Sequence, residues 1–448
     1  MARTQETASA PLSVRRIIAL CCAGGLLDGF DLLIMGAALL ALVPHYHLSG
    51  VETGVITSLP YIGAAVGALA AGRLNDRFGR RLIYMFDVML FIVLGVLLAL
   101  SQTVWQLAVL RFLIGIAIGF DMPTGSSMIA EFSPRKLRGT FTAMMNTAWL
   151  LGGSLGGFVG FVLFRGFGED AWRWMFAAAV VPAVIILALR AQLPESPHWL
   201  RAAGRTAEAE QVEARLPTEL TSEQAPPGSP RRERADRGSW REVFVRPHRG
   251  RVAFFSVYWL WQALITAAPF TYTALIFSSL VDLSKPGAIL LSATLLLVYV
   301  VASLACQFLV LDRFGRKPLA IGACIIAGMT GIPVALLQHS PVPLVLFFAL
   351  SITASQMVTI PFWPWSVEQL PTRIRATGQS IGSASNKFGL FLGTMIFPPA
   401  VIGAIGWRPM FLGYAIGFLG LALFTALVGK ETRGRDLESL ELDDSPVR

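Results

Sequence analysis

Charge is scarce in this 448-residue chain: Asp, Glu, Lys and Arg make up 15 %, against 54 % hydrophobic residues before Gly is counted. That balance lies outside the range of water-soluble domains and excludes a soluble fold. Cysteine is equally sparse. Cys21, Cys22, Cys306 and Cys324 all sit in apolar stretches, and their spacing suits neither a disulfide framework nor a zinc site. The five histidines, His45, His47, His198, His248 and His339, fall in loops without the spacing of a metal or nucleophile site, which argues against a membrane enzyme. The first apolar stretch, 17–43, is too long for a signal-peptide core and lacks a small-residue cleavage site, so it is expected to remain as a span.

What the chain does have is long apolar runs. Reading them between charged or Gly/Pro-rich breaks gives twelve candidate membrane helices: 17–43, 53–72, 82–101, 105–131, 140–164, 173–193, 252–278, 287–310, 319–338, 342–368, 377–401 and 409–428. The formal net charge of +9 is not the footprint of a nucleic-acid binder: 31 of the 37 Lys and Arg fall in the terminal tails and the loops on their side. By the positive-inside rule both termini are cytoplasmic.

The chain also repeats itself. Asp76-Arg-Phe-Gly-Arg-Arg81 returns as Asp312-Arg-Phe-Gly-Arg-Lys317, 236 residues on, and Glu131, Pro134 and Arg138 return as Glu368, Pro371 and Arg375 at an offset of 237. Two six-helix halves of one plan account for this. The expected organisation is a first bundle over 1–193, a cytoplasmic linker over 194–251, a second bundle over 252–428 and a tail over 429–448. The linker stretch 217–239 is rich in Pro, Gly, Arg and Glu, the composition of a disordered segment.

These residues carry a resemblance. Gly72-Arg-Leu-Asn-Asp76-Arg-Phe-Gly-Arg-Arg81 and its second copy resemble the loop signature of the major facilitator superfamily. Asp28-Gly-Phe-Asp31, the run from Arg111 to Pro123, Glu131 to Gly139, Pro194-Glu-Ser-Pro197-x-Trp199-Leu200 and the segment from Glu431 to Glu438 are similar to the metabolite:proton symporter and sugar-porter branch. The resemblance implies an all-α membrane protein of twelve helices in two pseudo-symmetric bundles, a transporter rather than an enzyme. It implies no cofactor beyond the proton gradient, and a monomer in the inner membrane whose partners are lipid, protons and a small solute.

Ionisable residues in hydrocarbon cost several kcal/mol unless paired or hydrated, so those inside spans are candidates for function. Five are expected to matter: Asp28, Asp31, Arg111, Asp121 and Lys387. At ~1.5 Å per residue, Asp31 and Arg111 both lie about 21 Å from the inner edge, and Asp28, Asp121 and Lys387 lie about 15 Å from it. Asp31 and Arg111 can therefore meet, and Asp28 and Asp121 can share a level. Carboxylates crowded in low dielectric cannot all stay ionised cheaply, which suits proton exchange. The resemblance adds that Asp31 and Arg111 match an aspartate switched by an arginine in sugar porters, and that Asp121 matches an aspartate of phosphate and metabolite symporters. A static buried ion pair is the plain alternative. None of the carboxylates has a counterpart in the second half, so proton handling is expected in the first half. Lys387 either binds an anionic substrate or pairs with Asp28 or Asp121.

Gln262, Trp259 and Trp363 are further candidates for the substrate site, with Pro361 and Pro364 breaking the tenth helix beside them, and Asn146 and Trp149 on the fifth span join them. The glutamine cluster of sugar porters is incomplete here, reading Trp261-Gln262-x-x-Ile265-x-Ala267, which points away from a sugar. The expected substrate is a small organic acid, aromatic in view of the tryptophans, moved by proton symport. An efflux antiporter, or a sugar or phosphate symporter, is the alternative. At the cytoplasmic surface Asp76, Arg77, Arg80, Glu131 and Arg138, with Asp312, Arg316, Glu368 and Arg375 in the second half, are expected to form a gating clamp, Asp76 by capping a helix amino terminus.

Overall fold

The structure, a computed structural model, describes residues 13–133, 138–216, 244–245, 248–281, 283–337, 340–370, 375–404 and 406–432. The side chains of Arg138, Asp312, Trp363, Glu368 and Arg375 lie outside that description, as does the linker stretch 217–239. Every regular element among the described residues is a helix. In a membrane that follows from chemistry, because a helix satisfies its own backbone polar groups where no water can.

Twelve spans run in the expected order. Six are single helices in the first half: Val14–Tyr46, Gly50–Phe78, Arg80–Ala99, Val104–Phe132, Arg138–Phe167 and Ala171–Arg190. In the second half the seventh span is broken at Tyr272 into His248–Thr271 and Thr273–Leu280, and the tenth at Ile360-Pro361 into Pro341–Thr359 and Phe362–Gln369. Lys285–Ala305, Arg316–Leu336, Arg375–Pro398 and Trp407–Val428 complete it, with π-helical turns at Cys306–Val310 and Pro399–Ala404. Ten described segments are long and apolar enough to cross a membrane, one of them, Met144–Arg190, holding two helices. The eleventh span is not among them, since it carries Gln379, Ser380, Ser383, Ser385, Asn386 and Lys387. The linker begins with two short helices, Pro197–Ala202 and Thr206–Ala214.

Local signals set the ends. Ser49 and Glu52 form a capping box, the Ser49 hydroxyl accepting from the Glu52 amide at 3.2 Å and the Glu52 carboxylate from the Ser49 amide at 2.9 Å. The two copies of the Asp-Arg-Phe-Gly-Arg repeat make the same turn, with Gly79 at φ 94° and Gly315 at φ 85°. Only glycine adopts that backbone freely, so each copy switches one helix into the next within a single residue.

The first span is the axis of the first half and packs on the fourth, fifth and sixth, while the second packs on the fourth. The seventh span packs on the eleventh, and the ninth on the tenth and twelfth. Between halves the second span meets the eleventh and the fifth meets the eighth. Several of these inter-half contacts lie toward the end away from the termini. A Cβ on Gly54 would run into the Met395 carbonyl, Ser154 donates to the Ala293 carbonyl at 2.9 Å, and Lys285 pairs with Glu169 at 2.7 Å. The hydrogen bond and charge of Lys285 hold the Glu169 carboxyl below its usual range, so this exposed link weakens only as the pH falls through that lowered range.

Candidate functional site

Asp31 on the first span and Arg111 on the fourth meet as their depths require. Arg111 Nη1 donates to Asp31 Oδ2 at 2.7 Å, and the two side chains are 1 % and 2 % exposed. The guanidinium also lies over the Phe176 ring, 5.9 Å from its centroid, while its Nε has no hydrogen-bond partner. Neutralising one partner of a buried pair strands the other charge, so a proton that enters or leaves Asp31 is tied to where the Arg111 guanidinium goes.

A second cluster sits toward the termini and contains two residues that the sequence reading passed over. Arg190, fully buried at the end of the sixth span, donates through Nη1 to Asp87 at 3.2 Å and through Nη2 to Asp121 at 2.5 Å. It lies over the Tyr84 ring, 3.4 Å from its centroid, and donates to the Tyr84 carbonyl at 3.0 Å. The intramembrane charges therefore number more than five. Arg190 closes an apolar run, where a base ordinarily reaches out toward the loop, yet its long side chain turns back among the helices. Asp87 lies within the third span close to Arg80 and Arg81, and its carboxylate had no evident partner in sequence. Gly24 makes the arrangement possible: a Cβ there would strike both the Arg190 guanidinium and the Asp121 carboxylate.

Asp28 faces this cluster across a small cavity that it lines with Gly24, Asp87, Phe91 and Asp121. The expected level for Asp28 and Asp121 is thus observed, but Asp121 is held by Arg190 rather than free to pair with Asp28. Asp28 is 4 % exposed and its Oδ2 has no hydrogen-bond partner. Lys387, on the eleventh span of the other half, and Arg190 are the cations that act on Asp28, neither of them in a direct ion pair with it.

The other candidates separate. Gln262 is 4 % exposed, its amide donating to Thr266 at 3.2 Å and to Thr359 at 3.1 Å, so it ties the seventh span to the tenth. Trp259 is as buried and stacks on Phe362 at 4.2 Å, which makes it packing within the second half. Asn146 and Trp149 are half-buried, and the Trp149 ring lies 6.3 Å from Phe270 across the halves. Sequence gave no hint of Gln307, in the π-helical turn, which donates to Thr147 of the other half at 3.2 Å. Nor did it point to Tyr272, at the break of the seventh span, which bonds Thr57 and donates to the Thr394 carbonyl at 2.9 Å.

At the end near the termini one expectation is corrected. Asp76 caps no helix: the second span continues to Phe78, leaving Asp76 and Arg77 exposed, and the Asp76 carbonyl accepts from the Trp199 indole at 3.0 Å. The amides of Arg80 and Arg81 donate instead to Glu195, at 3.0 and 3.2 Å. In the second half the amides of Arg316 and Lys317 donate to Glu431 at 3.2 and 2.8 Å. Glu195 and Glu431 are themselves 236 residues apart, so the repeat extends to the caps. Arg80 pairs with Glu131 at 2.8 Å, and Ser196 bonds Glu131 as well, all within the first half. Glu195→Gln is expected to cost about 1 kcal/mol of stability, and Glu431→Gln the same, read as equal falls in melting temperature of the detergent-purified chain. Unequal falls would show that the two caps do different work.

Two six-helix bundles with buried ion pairs on the inner faces of the first define a secondary transporter of the major facilitator superfamily. The sequence profile of the sugar (and other) transporter family matches residues 17–443, and the chain belongs to that family. It is a multi-pass membrane transporter, not an enzyme, and transport in this family needs no cofactor. The chain is 29 % identical to the inner membrane metabolite transport protein YgcS of Escherichia coli K12, over 86 % of this chain and 84 % of that one. It is 27 % identical to the arabinose-proton symporter of Bacillus subtilis 168, over 95 % and 94 % of the two chains. Its fold matches the inward open conformation of the xylose transporter XylE from Escherichia coli with a TM-score of 0.78, at 22 % identity, covering 97 % of this chain and all of that one. None of these supports the expected organic acid, and the two named for a solute are named for sugars.

Proposed function

We propose that the protein is a proton-coupled symporter for a small sugar-type solute, working by alternating access in the inner membrane with both termini cytoplasmic. The observation that carries the coupling is the Asp31–Arg111 pair, buried at 2.7 Å in the half that holds Asp28, Asp31, Asp87 and Asp121. Protonation of Asp31 releases Arg111, and loss of the proton restores the pair, so each access state has its own protonation. The sugar-type solute rests on the named relatives and on the family. With cytoplasmic termini, the contacts of Gly54, Ser154 and Lys285 close the outer end and break when the transporter faces outward. Residues 1–193 then handle the proton, 252–428 contribute Lys387 to the solute site, and the clustered bases and acids near the termini hold the opposite closure.

One observation favours a second reading, a solute with a negative group: Lys387 makes no ion pair among the described residues, Asp28 being the one charge that acts on it from the other half. The coupling is tested in proteoliposomes with a panel of sugars, sugar acids and other organic acids. Asp31→Asn is expected to abolish accumulation driven by a pH gradient while counterflow exchange of the accepted solute persists, because exchange needs no net proton transfer. Undiminished pH-driven accumulation in that variant would remove Asp31 from the coupling.

A further inference from the structure

We propose that Asp28 carries a second buried proton, held apart from the Asp31–Arg111 switch, and that Arg190 fixes it there by claiming the two neighbouring carboxylates. The inference rests on the reading of the chain as a proton-coupled transporter, but its geometry is independent of Asp31.

The titratable groups facing Asp28 are Asp87 from the third span, Asp121 from the fourth, Arg190 from the sixth and Lys387 from the eleventh, with Asp31 one turn along its own helix. Three carboxylates, Asp28, Asp87 and Asp121, surround one small cavity that also abuts Gly24. A single guanidinium of the first half, Arg190, bonds two of the three. Arg190 gives Nη1 to Asp87 and Nη2 to Asp121 and lies over Tyr84 at 3.4 Å; its Nε is unpartnered, and it makes no ion pair with Asp28. A carboxylate stripped of water without hydrogen bonds or a paired cation is costly by several kcal/mol, and binding a proton removes that cost.

With all groups ionised, the three carboxylates and Arg190 sum to two negative charges, and Lys387 on the facing half compensates one of them. One proton balances the rest. Asp87 and Asp121 are brought together on Arg190, so they are the rival holders of that proton. Each of those two has an oxygen bonded to Arg190, whereas Asp28 has no hydrogen bond or ion pair among the described residues, and its buried Oδ2, like the second oxygen of Asp121, is unpartnered beside the cavity.

The arrangement also joins the halves. Asp28 is neutral while Lys387 stays at its present separation, and approach of the ammonium replaces the proton as its counter-charge. The proton is then released as the halves rearrange, and its uptake frees Lys387 for the solute.

Infrared spectroscopy of the full chain in lipid, at neutral pH and without solute, reads the proton directly as the C=O stretch of a protonated carboxyl group. Wild type is expected to show such a band, Asp28→Asn to lose it and Asp31→Asn to keep it. In Lys387→Gln the band is expected to grow at a fixed alkaline pH, because the ionised carboxylate loses the cation that faces it. A wild type without the band overturns the proposal, and so does a band that survives Asp28→Asn, which would put the proton on the Asp87 and Asp121 pair. A Lys387→Gln spectrum identical to wild type overturns the link between halves. Failure of the band with retained loss of coupling in Asp31→Asn would leave the symport reading standing and refute only the second site.

Discussion

Replacing Arg190 by methionine is expected to cost several kcal/mol of stability, enough to deplete folded protein after detergent extraction. Arg190 is wholly buried and holds two carboxylates whose side chains are 2 % and 5 % exposed. Removing one partner of a buried ion pair typically costs about 3–5 kcal/mol because the other charge stays buried without compensation, and here two charges are stranded together. Methionine keeps much of the volume and the apolar stem, so the loss is electrostatic rather than a cavity effect. The control is the neutral set: Arg190→Met with Asp87→Asn and Asp121→Asn has no charge left to strand, and buried ion pairs replaced as a unit are often tolerated. Size-exclusion profiles and melting temperatures should therefore show a collapse in the single variant and substantial recovery in the triple. If Arg190→Met alone is as monodisperse and heat-stable as wild type, the carboxylates are not held by this guanidinium.

That cluster also marks where the sequence stops being legible. The twelve spans, the two halves and the Asp31–Arg111 meeting could all be read, because each rests on periodic or depth information that an apolar helix preserves: a rise of ~1.5 Å per residue places a charge without knowledge of its neighbours. The Arg190 cluster could not be read that way. It depends on which way a long side chain turns at a helix end, and an arginine at the end of the sixth span looks the same whether it reaches into the loop or back among the third and fourth spans. Glu195 and Glu431 present a different failure. Their spacing of 236 residues repeats that of the loop motifs, so the signal was there, but a cap supplied from a distant part of the chain is not suggested by local pattern. Asp76 was the local choice, and it lost because Gly79 turns the chain so sharply that the second helix never has to end before Phe78. The packing of Trp259 and Gln262 inside the second half reflects the broken tenth span, whose second helix brings Phe362 onto Trp259.

Lys387→Gln is expected to weaken binding of an acidic solute by roughly a hundredfold while changing that of its neutral counterpart little, since one lost charged contact in a desolvated site is worth a few kcal/mol. The lysine stands on the eleventh span one turn after Ser383, and Asp28 of the other half acts on it without a direct ion pair. An ammonium placed so has two uses. If it receives a solute carboxylate, wild type should prefer a sugar acid to the parent sugar, for example glucuronate to glucose, and Lys387→Gln should abolish that preference; Lys387→Arg, keeping the charge, should retain most of it. If its sole use is to balance Asp28, wild type should not distinguish acid from sugar, and the variant should lose proton-driven accumulation of both while still binding them. Equilibrium binding of the pair to purified wild type and both variants separates the two uses, and equal loss of acid and sugar in Lys387→Gln would refute the anion-binding role. The proton on Asp28 predicts a further feature of the same measurement. An acid that needs a free Lys387 should bind more weakly where an ionised Asp28 competes for the ammonium, and Asp28→Asn should remove that competition, leaving only the weakening that follows when the lysine loses its own proton.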